Sequence, residues 1–307
     1  MRVVDLFCGC GGLSKGFERA GYNVVAGLDN WDPAIRVYER NFTHPIIKQD
    51  LSDVESTVKV VKEMNPDMII GGPPCQDFSS AGKRDEDNGR GCLTVSYAEI
   101  VCAIKPQWFV MENVERIIQT NKLIVAKQLF SSAGYGLSQM VLDASLCGVP
   151  QKRKRFVLIG KLGEKDNFMD YYLKKHMSVK SMSVFDYVGD SFGITYYYRH
   201  PRSYARRGVF SIYEPSPTIR GVNRPLPKGY KKHDGDPVDC LDNIRALTSK
   251  ERSIIQTFPE DFDWVVTSKT DLEQMIGNAV PVNLGKFVGE AIGLYVNDPN
   301  PVNESLF

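Results

Sequence analysis

The first 162 residues alternate short apolar runs with amphipathic stretches, and this alternation limits the possible folds more than any other feature of the chain. Runs of strand length fall at 3–7, 23–28, 68–71, 108–112 and 156–162, with helical periodicity over 13–20, 33–42, 54–64, 93–104 and 123–133. Parallel neighbours need a long crossover and a helix normally supplies it, so the pattern predicts an α/β fold with a doubly wound, mainly parallel sheet. The rhythm stops near Gly163, and residues 164–240 are rich in Gly, Pro, Tyr and charge without helical period. That predicts a second, smaller, loop-rich domain. Periodicity returns at Thr248-Ser249-Lys250-Glu251, a capping box opening a helix that ends before Pro259. A last apolar helix is expected over about 283–295, packed back on the sheet. The implied division is 1–162 plus 276–299 as one domain, 163–275 as the second with its hinge, and 300–307 as a tail.

Hydrophobic residues make up 42% and charged residues 24%, as in ordinary soluble proteins, and no run approaches the ~18 apolar residues of a membrane span. The amino terminus reads directly as a strand rather than a signal peptide, so the expected location is the cytoplasm. Seven cysteines scattered through predicted strands and helices do not form a disulfide framework. The pair Cys8 and Cys10 has no second pair, and with four dispersed histidines no metal site is expected. The net charge of +1 hides an asymmetry, because residues 196–232 hold nine Lys or Arg against one acid, Glu214. Aromatics are interleaved among them, which suits a phosphate-contacting, base-reading surface; a solvated basic loop is the plainer alternative.

Six sites along the chain carry candidate chemistry. Gly71-Gly72-Pro73-Pro74-Cys75-Gln76 follows a buried strand and puts a thiol on a stiff turn at the carboxyl edge of the sheet, where open α/β folds bind ligands. A cysteine placed there is a candidate nucleophile. Glu112-Asn113-Val114 ends another strand at the same edge, so its carboxyl can face the thiol across a pocket and protonate or hydrogen-bond a ring nitrogen. Gln151-Lys152-Arg153-Lys154-Arg155 leads into the next strand, and a period of two puts Arg153 and Arg155 on one face, aimed at a carbonyl oxygen or phosphate. The turn Asp5-Leu6-Phe7-Cys8-Gly9-Cys10-Gly11-Gly12 lacks G-x-G-x-x-G spacing, which disfavours a pyrophosphate. Asp29 ends the second strand, where an acid bonds ribose hydroxyls, and Asp50-Leu51 can read an adenine amino group. Together these describe an adenosine pocket without a phosphate cradle, closer to S-adenosylmethionine than to NAD.

The ordered motifs DLFCGCGG from Asp5, the acid Asp29, PPCQ around Cys75, ENV at Glu112, QKRKR from Gln151 and GNAVPV from Gly277 resemble those of the DNA (cytosine-5)-methyltransferases. The resemblance covers about 1–162 and 242–296, with the family's variable target-recognition segment between. It implies that Cys75 is the nucleophile, that Glu112 contacts the base at N3 and the amino group, and that Arg155 with Arg153 supports the cytosine carbonyl and its surroundings. Phe7, Gly9, Gly12, Asp29, Asn30, Asp50, Leu51, Asn278 and Val280 would line the site for S-adenosylmethionine. Pro217-Thr218-Ile219-Arg220 resembles the family's Thr-aliphatic recognition signature, so Thr218, Ile219 and Arg220, with Arg206 and Arg207, are candidate DNA contacts. The loop 76–91 would close over a flipped base, with Lys83, Arg84 and Arg90 on phosphates. Cys8, Cys10 and Asn30 stand where the family usually has small or apolar residues.

The implied partner is double-stranded DNA, bound by a monomer beside a separately acting cognate restriction endonuclease, in a compact prokaryotic or phage-type enzyme. Three alternatives stand beside it. An RNA methyltransferase on the same domain would carry a Cys-Phe-Thr tripeptide, which is absent; a catalytically silent DNA binder would need neither Cys75 nor Glu112; a dehydrogenase would need the missing glycine spacing.

Overall fold

The computed structural model describes residues 1–74, 92–203, 205–265 and 268–298. Strands β1 (Arg2–Leu6), β2 (Asn23–Asp29), β3 (Ile46–Lys48), β4 (Met68–Gly71) and β5 (Trp108–Val114) lie parallel in the order β3-β2-β1-β4-β5. Helices α1 (Gly12–Arg19), α2 (Asp32–Asn41), α3 (Val54–Glu63) and α4 (Leu93–Ile104) fill the crossovers, and α5 (Asn121–Ser132) follows β5. The sheet is therefore mainly parallel, as the alternation predicts. It is completed by β6 (Tyr135–Asp143) and, after the short β7 (Gln151–Lys152), by β8 (Lys154–Leu162), which inserts between β5 and β6 and runs antiparallel to both.

Helices α3 to α5 cover one face of the sheet. There Val4, Leu6, Ile69, Phe109 and Leu158 pack against Val61, Ile100, Ala126 and Phe130. On the other face Val3, Val24, Ile70, Val110 and Ile159 meet α10 (Val282–Val296) through Leu284, Val288 and Ile292. The last apolar helix thus returns to the sheet as expected, and it also lies along α1, where Gly16 and Gly285 let the two backbones touch.

Between β8 and α10 the chain is less uniform than its composition suggests. It forms α6 (Asp170–His176), α7 (Val184–Val188), the hairpin pair β9 (Tyr196–Tyr198) and β10 (Val209–Ser211), and β11 (Ser216–Pro217), which pairs in parallel with β7. Helices α8 (Ser249–Ile255) and α9 (Lys269–Asn278) follow, and α8 carries the predicted capping box of Thr248 and Glu251. Val184, Tyr197, Phe210, Ile212, Ile219, Leu247, Ile255 and Ile276 form an apolar cluster of their own in this region. Beside it Arg252 and Glu273, each with a side chain 4% exposed, form a buried ion pair that joins α8 to α9.

Phe109 is fully buried, stacks on Phe130 at 4.0 Å and meets Tyr135 edge-on at 5.1 Å, and a Cβ at Gly160 would take the space of its ring. Phe109→Ala leaves a cavity that the stiff sheet cannot close, so it should cost about 3–5 kcal/mol. Denaturant unfolding followed by circular dichroism reads this directly, and a loss under about 1 kcal/mol would contradict the packing described.

Candidate active site

The strand order reverses between β1 and β4, the place where an open α/β sheet leaves a crevice at its carboxyl edge. A cavity of about 630 Å³ sits there, a size suited to a nucleoside-bearing ligand with room for a second group. Its walls include Phe7, Gly9, Gly12, Asp29, Asn30, Asp50, Leu51, Asn278 and Val280, all of the predicted cofactor set, together with Glu112, Arg153 and Arg155.

The turn after β1 is shaped by backbone geometry. Phe7 has φ 57° and Gly9 φ 54°, so two residues in the left-handed region swing the chain around the end of β2. Asp29 holds the turn in place, accepting from the Gly9 N–H at 2.8 Å with one oxygen and from the Trp31 N–H at 2.9 Å with the other. A carboxylate oxygen has a second lone pair, so this does not exhaust its capacity to bind hydroxyls. Asp50 uses Oδ1 to accept from the Ser52 N–H at 3.0 Å and its hydroxyl at 2.7 Å. On the far wall α1 begins against the segment that follows α9, because a Cβ at Gly12 would run into the Val280 carbonyl.

Glu112 stands near the end of β5, 8% exposed. In the antiparallel register Arg155 lies opposite Val114, two residues along from Glu112, so both side chains leave the same face. Arg155 Nε reaches Glu112 Oε1 at 2.9 Å, an ion pair without the alignment of a hydrogen bond. Burial pushes the Glu112 carboxyl above its ordinary range, and the charges of Arg155 and Arg153 pull it partly back. A carboxyl held in that balance can carry a proton to a bound base. The chain leading to the predicted nucleophile passes close by: a Cβ at Gly72 would stand 3.3 Å from Glu112 Oε2, and Asn113 Nδ2 donates to the Pro73 carbonyl at 2.8 Å. Cys75 itself, the loop 76–91, and Lys83, Arg84 and Arg90 lie outside the described residues.

Arg153 departs from the expectation that both arginines aim at one ligand. It precedes β8 and is 1% exposed. Its Nη1 donates to the Ile219 carbonyl at 3.0 Å, and its Nη2 to those of Gly277 at 3.0 Å and Ala279 at 3.1 Å. The terminal N–H groups are spent on backbone, so Arg153 braces the site rather than grasping a carbonyl in it. Gln151 and Gln256, both fully buried, extend the brace: Gln151 Nε2 donates to Gln256 Oε1 at 2.8 Å, and Gln151 Oε1 accepts from the Ile219 N–H at 2.9 Å. Periodicity could not reveal this, because the partners come from three distant segments.

The candidate DNA contacts divide. Ile219 is 5% exposed and packs in the apolar cluster, which corrects its expected place on the DNA surface: an aliphatic side chain gains more by burial there. Thr218 donates to the Lys152 carbonyl at 2.8 Å, Arg207 pairs with Glu214 and lies over Phe210, and Arg220 donates to the His200 carbonyl. These three hold the region together. Arg202, Arg206, Arg224, Lys228, Lys231 and Lys232 are exposed and leave a basic surface. Sequence reasoning also passed over Asp5, on the cavity wall with no exposure, because it reads simply as the start of the turn motif.

Arg155→Met removes the nearest cation from Glu112, so the carboxyl should titrate at higher pH. A carboxyl whose folded pKa is raised adds stability that is complete below its unfolded value of about 4.3 and lost as pH rises through the folded value. The variant should move that window upward, measured by carbon-13 carboxyl NMR across a pH series. A resonance that titrates unchanged or lower would show that Arg155 does not govern Glu112.

The family described as C-5 cytosine-specific DNA methylase matches residues 1–294. The chain is 57% identical to Type II methyltransferase M.HindV of Haemophilus influenzae, over 97% of this chain and 98% of that one. It is 52% identical to Type II methyltransferase M.HgiDI of Herpetosiphon aurantiacus, over 100% and 98%. Among solved structures, the S. pombe Dnmt2 methyltransferase superimposes with a TM-score of 0.71 at 16% identity, over 97% of this chain and 99% of that one, a likeness of fold. The chain belongs to the C-5 cytosine-specific DNA methylase family and is a DNA (cytosine-5)-methyltransferase of the kind found in restriction-modification systems.

Proposed function

We propose that the protein methylates C5 of a cytosine flipped out of a specific short double-stranded DNA sequence, through a covalent adduct with Cys75, and so protects DNA from a cognate endonuclease. The observation that supports this most is the placing of buried Glu112, paired with Arg155, against the Gly72-Pro73 turn that delivers Cys75. S-adenosylmethionine would supply an electrophilic methyl group on a sulfonium. The cavity suits it: it has an acid at the end of β2, a turn whose glycines lack the spacing for a pyrophosphate, and a buried Asp5 oxygen without a hydrogen-bond partner among the described residues.

Cytosine C5 is too weakly nucleophilic to accept a methyl group unaided. Attack of the Cys75 thiolate on C6, with Glu112 giving its proton to N3, makes C5 enamine-like. Arg155, already against Glu112, orients that carboxyl and can turn toward the base carbonyl. Removal of the C5 proton then expels the thiolate. The ring is out of reach inside a duplex, so flipping is required and costs a few kcal/mol. The exposed basic residues of 196–232 would track phosphates, within a target-recognition unit spanning 163–275 and separate from the catalytic unit of 1–162 and 276–299. No described helix is long and apolar enough to cross a membrane.

Base-resolution conversion sequencing of genomic DNA from a methylation-free host expressing the chain should show methylcytosine confined to one short sequence; unmodified cytosine despite soluble protein would overturn the reading. Cys75→Ser should abolish transfer while DNA binding persists, and Glu112→Gln should slow it by a factor of 100 or more. Turnover by the Cys75→Ser variant, or a near-normal rate in Glu112→Gln, would remove that residue from its role.

A further inference from the structure

Asp5 ends no strand, holds no backbone turn and has no part in the chemistry above, yet it is fully buried on the wall of the cavity. Ser14 Oγ donates to its Oδ2 at 2.6 Å, and its Oδ1 has no partner among the described residues. Among the described residues, the titratable groups that face it are Asp29 from β2, Cys8 from the turn, Tyr38 from α2 and Tyr97 from α4, and none of these is a cation. Behind Ser14 the polar contacts continue outward. Ser14 Oγ lies 2.8 Å from the Tyr38 hydroxyl, which lies 2.8 Å from His44 Nε2. His44 Nδ1 is 3.3 Å from Glu18, whose side chain is 27% exposed and is also bonded by Lys15. A buried carboxyl is thus linked outward by hydrogen bonds as far as His44, whose Nδ1 stands at ion-pair distance from the partly exposed Glu18.

We propose that Asp5 is the counter-charge by which this pocket distinguishes the cationic sulfonium cofactor from its neutral thioether product, exchanging a proton with solvent through Ser14, Tyr38 and His44. The inference rests on the reading of the cavity as an S-adenosylmethionine site. With no cationic ligand in the pocket, Asp5 keeps its proton, because burial, with Asp29 nearby, pushes its carboxyl up to about 7. A cation in the pocket favours the carboxylate. The Asp5 proton then passes to Ser14 Oγ as the Ser14 proton moves to Tyr38 and the Tyr38 proton to His44 Nε2, and His44 gives up its Nδ1 proton to Glu18 and water. One proton leaves Asp5, one reaches solvent, and each atom between keeps its count. When methyl transfer removes the positive charge, the proton returns and the pocket no longer favours a charged occupant.

Titration calorimetry of the wild-type protein in buffers of different ionisation enthalpy tests this without turnover. S-adenosylmethionine should release most of one proton near pH 6, falling toward none by about pH 9, whereas S-adenosylhomocysteine should release clearly less. Asp5→Asn should abolish the difference and shift preference toward the thioether by about tenfold, the equivalent of one pK unit. Ser14→Ala, which removes the bond favouring the carboxylate, should move the release profile to higher pH. Equal proton release by the two ligands, or a profile unmoved in Ser14→Ala, overturns the role of Asp5 and leaves the cofactor reading intact. Failure of both ligands to bind would remove the two together.

Discussion

A single guanidinium, that of Arg153, holds the three parts of the cavity in register. Burying a cation is costly unless its donors are satisfied, and here three carbonyls take up its terminal N–H groups, while Nε has no partner among the described residues. Two of those carbonyls, Gly277 and Ala279, lie at the carboxyl end of α9, where the partial negative charge of a helix suits a cation. The third, Ile219, belongs to the segment after β11 that carries the recognition signature. One side chain therefore fixes the rim of the sheet, the cavity wall after α9 and the root of the segment that follows β11 to one another. Gln151 and Gln256 add uncharged bonds among the same segments, so the joint is stiff as well as neutralised.

Much of the fold was legible because its helices and strands are strongly periodic. The parallel half, the capping box at Thr248 and the closing helix all follow from residue spacing. Strand β6 was missed: Tyr135–Asp143 is buried on both faces at its start and only partly beyond, so it shows no clean apolar alternation and no continuous apolar run. The reversal of β8 was equally hidden, since direction is set by connection length and partner rather than by composition. The helices α6 and α7 escaped notice because they are short, and α9 because it is mostly polar, with Leu272, Met275 and Ile276 its large apolar side chains.

At the site, the residues legible in sequence were those whose role depends on position along a strand. Asp29, Asp50 and Glu112 each stand near a strand's carboxyl end, and the parallel sheet brings all three to one cavity. Residues whose role depends on distant partners were misjudged. Arg153 read as a ligand-binding cation and Ile219 as a surface residue, yet tertiary packing assigns one to bracing and the other to a core. Asp5 went unweighed because nothing local marks a buried acid, and its environment comes from α1, α2 and α4 together.

The contact of α1 with α10, and of Gly12 with Val280, has a consequence for synthesis on the ribosome. The sheet order can be laid down as soon as β8 emerges, but one wall of the cavity is among the last segments translated. A growing chain therefore has every strand of the seven-stranded sheet before it has all the residues of the pocket. Helix α10 also sets Leu284, Val288 and Ile292 against one face of that sheet, so a chain halted before it leaves that face and the adjoining side of α1 without their cover.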